Sequence, residues 1–154
     1  MQSTAKSGRC MGLVMATAMA AAVVASSGAE AENNCFAGDF VDLRGLQQIV
    51  VANNDPGNTY KYRPRCAKVT AGTVVRFEAI PSFGVHPLYG GTIEDGMPVM
   101  DPGSPIGSIL SGTSAERLLD TAGEFPFYCD AHYTLGMQGS ILVLPEQIFV
   151  NGFE

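Results

Sequence analysis

Basic side chains are scarce in this sequence: nine Lys and Arg stand against fifteen Asp and Glu in 154 residues, for a formal charge of −6. A nucleic-acid or anionic-lipid partner needs a basic footprint that this composition does not supply. Long apolar runs are also missing. The most apolar stretch, CMGLVMATAMAAAVVAS from Cys10 to Ser26, is short for a bilayer span of about 20 residues. No internal repeat, coiled-coil period or long disordered tract is present. Histidine is the scarcest chemically useful residue, with two copies.

What is present begins with a leader. Lys6 and Arg9 form a basic head, the apolar stretch follows, and Ala29-Glu30-Ala31 has the small-x-small pattern of a cleavage site. Residues 1–31 therefore read as a secretory signal peptide that takes Cys10 with it. An exported chain of 32–154 remains, one domain of ordinary size, periplasmic or extracellular and not inserted in a membrane. Without Lys6, Arg9 and Glu30 it has seven basic and fourteen acidic side chains, a charge of −7. Its three cysteines, Cys35, Cys66 and Cys129, would meet an oxidising compartment, where an even pair bridges and an odd one calls for explanation.

The rest reads as short strands divided by turns. QQIVVAN (47–53) is a branched run followed by the turn-rich Asn54-Asp55-Pro56-Gly57-Asn58. YKYRPRCAKVTAGTVVRFEAIP holds two strands turning at Ala71-Gly72. Pro64 marks the first as an edge. In the second, Val75, Phe77 and Ala79 share one face and Val74, Arg76 and Glu78 the other. Residues 81–113 are rich in Gly and Pro and read as loop. SAERLLDTAGEFPFYC is a further strand pair turning at Ala122-Gly123, and GSILVLP is the last strand. This spacing predicts an all-β sandwich.

YCDAHYTLGMQG places Cys129, His132 and Met137 in one short turn. Alone, each has an ordinary reading: a buried small hydrophobe, a surface imidazole, a core filler. Together they match a thiolate, an imidazole and a weak thioether, the donors of a trigonal copper site with a long axial methionine. That geometry requires a second imidazole, and the other histidine, His86, lies in IPSFGVHPLYGG upstream. The softness of the set favours copper over zinc.

At this point the sequence resembles the cupredoxins, the plastocyanin, azurin and pseudoazurin family of small blue-copper sandwiches. CDAHYTLGM is similar to their Cys-x2-His-x4-Met loop, YRPRCAKVTAGTVVRF to their Tyr/Phe-x-Pro and Val-x-Phe strands, AGEFPFYC to the approach to the thiolate, and MQGSILV to the exit strand. The resemblance covers most of 60–144. It implies a Greek-key β-sandwich holding one type 1 copper ion, with His86, Cys129 and His132 equatorial and Met137 axial. It leaves Cys35 and Cys66 as the disulfide pair. Relatives usually follow the first histidine with asparagine, whose N–H bonds to the thiolate. Here Pro87 has no N–H to give, which implies a lower reduction potential.

The implied function is single-electron transfer by a monomer with a redox protein such as a cytochrome or a copper enzyme, at a surface around His132 bordered by Pro87, Leu88 or Leu135. Four protein donors, no open position and no spare histidine speak against an enzyme. A copper carrier is the alternative, with Met97 and Met100 in EDGMPVM as a weak pick-up patch. The plainer reading of those methionines is filler at the sandwich end. The ending IFVNGFE has no assigned role beyond an apolar strand continuation.

Overall fold

Alternating burial sets the first recognisable strand. From Thr73 to Glu78, Thr73, Val75 and Phe77 are buried while Val74, Arg76 and Glu78 are half-exposed, and Ala79 continues the buried face. The computed structural model describes residues 32–146, so the leader at 1–31 and the IFVNGFE ending lie outside the described residues.

In chain order the strands are β1 (Val41–Asp42), β2 (Gln48–Ala52), β3 (Cys66–Thr70), β4 (Thr73–Glu78), β5 (Leu88–Glu94), β6 (Met97–Met100), β7 (Ser108–Ile109), β8 (Ser114–Leu119), β9 (Gly123–Cys129) and β10 (Gln138–Leu144). They form two sheets. The larger runs β1-β3-β10-β9-β5-β6, with β7 also paired to β5, and the smaller runs β2-β4-β8. The β-sandwich expected from the sequence is the observed fold. Its core is closed by Phe127, whose ring meets Tyr62 and Phe77 edge-on at centroid distances of 5.3 and 5.4 Å. Each such buried ring contributes about 1.5–3 kcal/mol.

Several local expectations are corrected. The turn at Ala71-Gly72 falls where the sequence places it, and it joins strands of different sheets. The Ala71 N–H bonds to Leu144 of β10 and the Gly72 N–H to Leu119 of β8, at 2.8 Å each. β8 and β9 are likewise consecutive but not paired. Pro64 does not mark an edge: it precedes β3, which is flanked on both sides by β1 and β10. The neighbouring Arg65 carbonyl meanwhile accepts the Ser140 N–H at 3.0 Å. Residues 81–113 are not simply loop, since they contain β5, β6 and β7. Asp95 and Gly96, with φ of 51° and 78°, make the left-handed two-residue turn of the β5–β6 hairpin. Gly91 allows the strands to meet, because a Cβ there would run into the Val99 carbonyl.

The amino-terminal segment is fixed twice. Cys35 is bridged to Cys66, as the resemblance implied. The buried Asn33 amide donates to the carbonyls of Gly91 (3.0 Å), Phe127 (2.9 Å) and Gly139 (3.3 Å), and its oxygen accepts the Ile93 N–H at 2.9 Å. Asn33 thus ties the segment to β5, β9 and β10.

Candidate metal centre

The turn between β9 and β10 is closed by its own backbone. His132 N–H reaches the Cys129 carbonyl at 3.1 Å and Leu135 N–H the His132 carbonyl at 2.9 Å; Cys129 N–H returns to the Met137 carbonyl at 2.8 Å. Gly136, at φ 85°, supplies the left-handed residue that turns the chain back after the short 3-10 turn Tyr133–Leu135. His86 comes from the loop before β5. Its N–H is held by the Ser82 carbonyl at 3.0 Å, and the Asp130 N–H bonds to the Pro87 carbonyl at 2.9 Å, fastening the two loops together. Leu88 of β5 pairs with Cys129 of β9, so the register delivers His86 beside the thiol.

The structure brings three of the four candidate residues to one point. His86 Nδ1 and His132 Nδ1 are 3.1 Å apart, and Cys129 Sγ lies 3.9 Å from the first and 3.5 Å from the second. A point equidistant from all three lies about 2 Å from each, within the range of metal–nitrogen bonds and close to metal–sulfur ones. Among the described residues, these are the cluster of His, Cys, Asp or Glu side chains with metal-binding spacing. Met137 is fully buried, in the same core cluster as Cys129.

The surroundings suit a neutral, dry pocket. Burial pushes the Cys129 thiol up, while the nearby backbone N–H groups of Ala131 and His132 pull the other way. Pro87 offers the sulfur no backbone donor. Burial also pushes the His86 imidazole down, helped by the neighbouring His132 and opposed by the nearby Ile80 backbone. Beneath lies Tyr62, whose buried hydroxyl has no partner among the described residues; burial first, and Cys129 second, raise its pKa well above the ordinary value.

Two neighbours of the centre were not anticipated from the sequence. The Tyr60 ring lies 4.8 Å from that of His132 and 6.2 Å from that of His86, centroid to centroid. Asn53, completely buried, bonds to the backbone on either side of this aromatic contact. The dense turn after residue 53 was the available signal, but it gave no direction in space.

Two other expectations fail. Leu88 does not border a surface, being buried in the core; Tyr60 stands against both imidazoles, and the exposed apolar side chains of the segments that carry them are Ile80, Val85 and Leu135. Met97 and Met100 do not fill the sandwich end. They stand exposed on β6, paired to Glu94 and Gly91 of β5, roughly 20 and 10 Å of strand from the His86 end at about 3.3 Å per residue.

A sandwich of this connectivity with a His-Cys-His cluster at one end defines the cupredoxin class of fold, and the superposition on rusticyanin agrees. Reduced rusticyanin superposes with a TM-score of 0.51 at 20% identity, covering 75% of this chain and 91% of that one. Pseudoazurin from Methylobacterium extorquens AM1 aligns at 21% identity over 65% of this chain and 76% of its own, with a TM-score of 0.44. Plastocyanin from Dryopteris crassirhizoma aligns at 22% identity over 62% and 100%, with a TM-score of 0.43. No family model and no curated relative matches the sequence. The chain has the cupredoxin fold.

Proposed function

We propose that this protein is a one-electron shuttle built on a single type 1 copper ion, held by His86, Cys129 and His132, with Met137 as a weaker fourth donor. The observation that carries the reading is the convergence of one thiol sulfur and two imidazole nitrogens on a point about 2 Å from each. One thiolate, two imidazoles and a thioether form the soft, trigonal donor set that favours copper. Copper bound there supplies a Cu(I)/Cu(II) couple.

The chain supplies rigidity. Cys129 is fixed by the β9–β5 register and by its bond to Met137, His132 by its own turn, and His86 by Ser82 and the Pro87–Asp130 link. Donors held this firmly change little in position as charge comes and goes. Ala131 and His132 N–H groups temper the charge on the sulfur, and Pro87 adds none. Four protein donors in a buried site support electron transfer over substrate chemistry, which needs an open position. The exposed flank of Tyr60, Ile80, Val85 and Leu135 suits a brief, small contact with a redox protein such as a cytochrome or copper enzyme. In this reading the exported protein works as a monomer in the periplasm or outside the cell.

Exposure of Met97 and Met100 favours a second reading, a carrier that passes on the ion itself. One titration addresses both. Cu(II) added to the purified protein is expected to give an intense blue charge-transfer band with narrow copper hyperfine splitting, abolished by Cys129→Ser. A carrier would instead hand copper to an acceptor faster than it exchanges electrons, and would lose that ability when both methionines are replaced. No blue band with the unmodified protein would refute the copper reading.

A further inference from the structure

Asn53 lies just after β2, outside the cluster of donors, yet it is the buried polar side chain that connects the backbone on both sides of them. Its exposure is 0%. Its amide nitrogen donates to the Thr59 carbonyl at 3.1 Å and to the Ile80 carbonyl at 2.9 Å, and its oxygen accepts the Ile80 N–H at 2.7 Å. Thr59 directly precedes Tyr60, whose ring lies 4.8 Å from His132 and 6.2 Å from His86. Ile80 begins the segment that leads through Ser82 to His86, whose backbone N–H bonds to the Ser82 carbonyl at 3.0 Å.

A buried amide that satisfies three backbone groups from two loops is costly to disturb. Each group left unpaired costs about 1–3 kcal/mol. The three bonds fix where Thr59 and Ile80 can lie, and hence where Tyr60 and His86 can lie. Outer-shell partners that orient imidazole ligands in this way change metal affinity by about 10–100-fold when removed.

We infer that Asn53 is a positioning residue for both imidazoles: it fixes the Ile80 backbone at the start of the segment that carries His86, and the Thr59–Tyr60 segment against His132. Tyr60 is the part of this device that faces solvent, being 41% exposed, with its ring against that of His132. The inference rests on the metal-centre reading but concerns the arrangement of the donors before any metal arrives.

The test therefore begins with metal-free protein. Asn53→Ser leaves a side chain too short to span Thr59 and Ile80 together. Long-range nitrogen–proton NMR of the two imidazoles is expected to show one sharp set of ring signals in the unmodified protein and shifted or doubled sets for both rings in Asn53→Ser. In Tyr60→Ala, the His132 ring should shift more than the His86 ring. In copper-loaded protein, release to a chelator should be about tenfold faster or more in Asn53→Ser. Unchanged ring signals in an Asn53→Ser protein that merely melts earlier would show that Asn53 is structural only, and would overturn the inference. If Asn53→Ser does not fold, Tyr60→Ala decides: an unmoved His132 signal overturns the inference, and a moved one supports it. Failure of the unmodified protein to bind copper would sink the metal reading while leaving the imidazole comparison intact, so the two failures are distinguishable.

Discussion

At the scale of single residues, burial separates the groups that serve the centre from those that tune stability. Cys129 and His86 are pressed toward their neutral forms by the same dry environment that would hold a metal. Glu124 feels a similar effect away from the centre. Burial raises its carboxyl above the ordinary 4.5 and the Glu32 charge adds to this, while the bond it accepts from the Ser140 hydroxyl at 2.8 Å works against both. An acid raised in the folded state binds more protons there than in the unfolded chain, so stability falls as pH rises from about 4.5 through the folded value. Glu124→Gln keeps an acceptor for Ser140 and removes the ionisation. Its melting temperature should exceed that of the unmodified protein at neutral pH, with the gap closing below pH 4.5. A gap independent of pH, read by thermal melts across this range, would rule out the ionisation as the cause.

At the scale of elements, the site is a property of loops held by strands rather than of any one strand. β9 supplies Cys129, β5 aligns His86 beside it, and the turn into β10 folds back on its own carbonyls. The opposite demand, to keep the amino-terminal segment in place, falls on Cys35–Cys66 and Asn33. The bridge spans a sequence separation of 31 residues, and loop-closure entropy assigns it about 3–4 kcal/mol. Replacing both cysteines by alanine should lower the unfolding free energy by that amount in a denaturant titration. A loss under about 1 kcal/mol would mean that the Asn33 hydrogen bonds hold the segment unaided. The β5–β6 hairpin shows how an element hides in composition. Asp95-Gly96 is a strong hairpin signal, yet it sits among so many Gly and Pro residues that the stretch reads as loop.

At the scale of the whole molecule, charge is the property that reaches beyond the contact surface. The chain from 32 to 154 carries −7, and part of its small basic complement is already matched, Arg63 by Asp55 at 2.7 Å and Arg44 by Asp42 at 2.6 Å. A net acidic body speeds encounter with a basic partner and does so less as salt screens it. The bimolecular rate of electron exchange with a basic cytochrome should fall between roughly 10 mM and 150 mM salt, as the Debye length shrinks from about 30 to 8 Å. A rate indifferent to salt would remove steering from the account while leaving the centre untouched.

The sequence alone determined the sandwich, through period-two burial in runs such as Thr73–Ala79, and narrowed the candidate donors, because it holds so few residues able to act. These are local or compositional facts, readable without knowing what lies across the core. Only the tertiary structure decided that β3 and β4 belong to different sheets, that Leu88 turns inward, and that His86, Cys129 and His132 converge. The same holds for Asn53 and Tyr60, whose partners Ile80 and His132 lie in other loops. Such contacts join residues dozens of positions apart, and their closeness arises from the packing of two sheets rather than from any pattern along the chain.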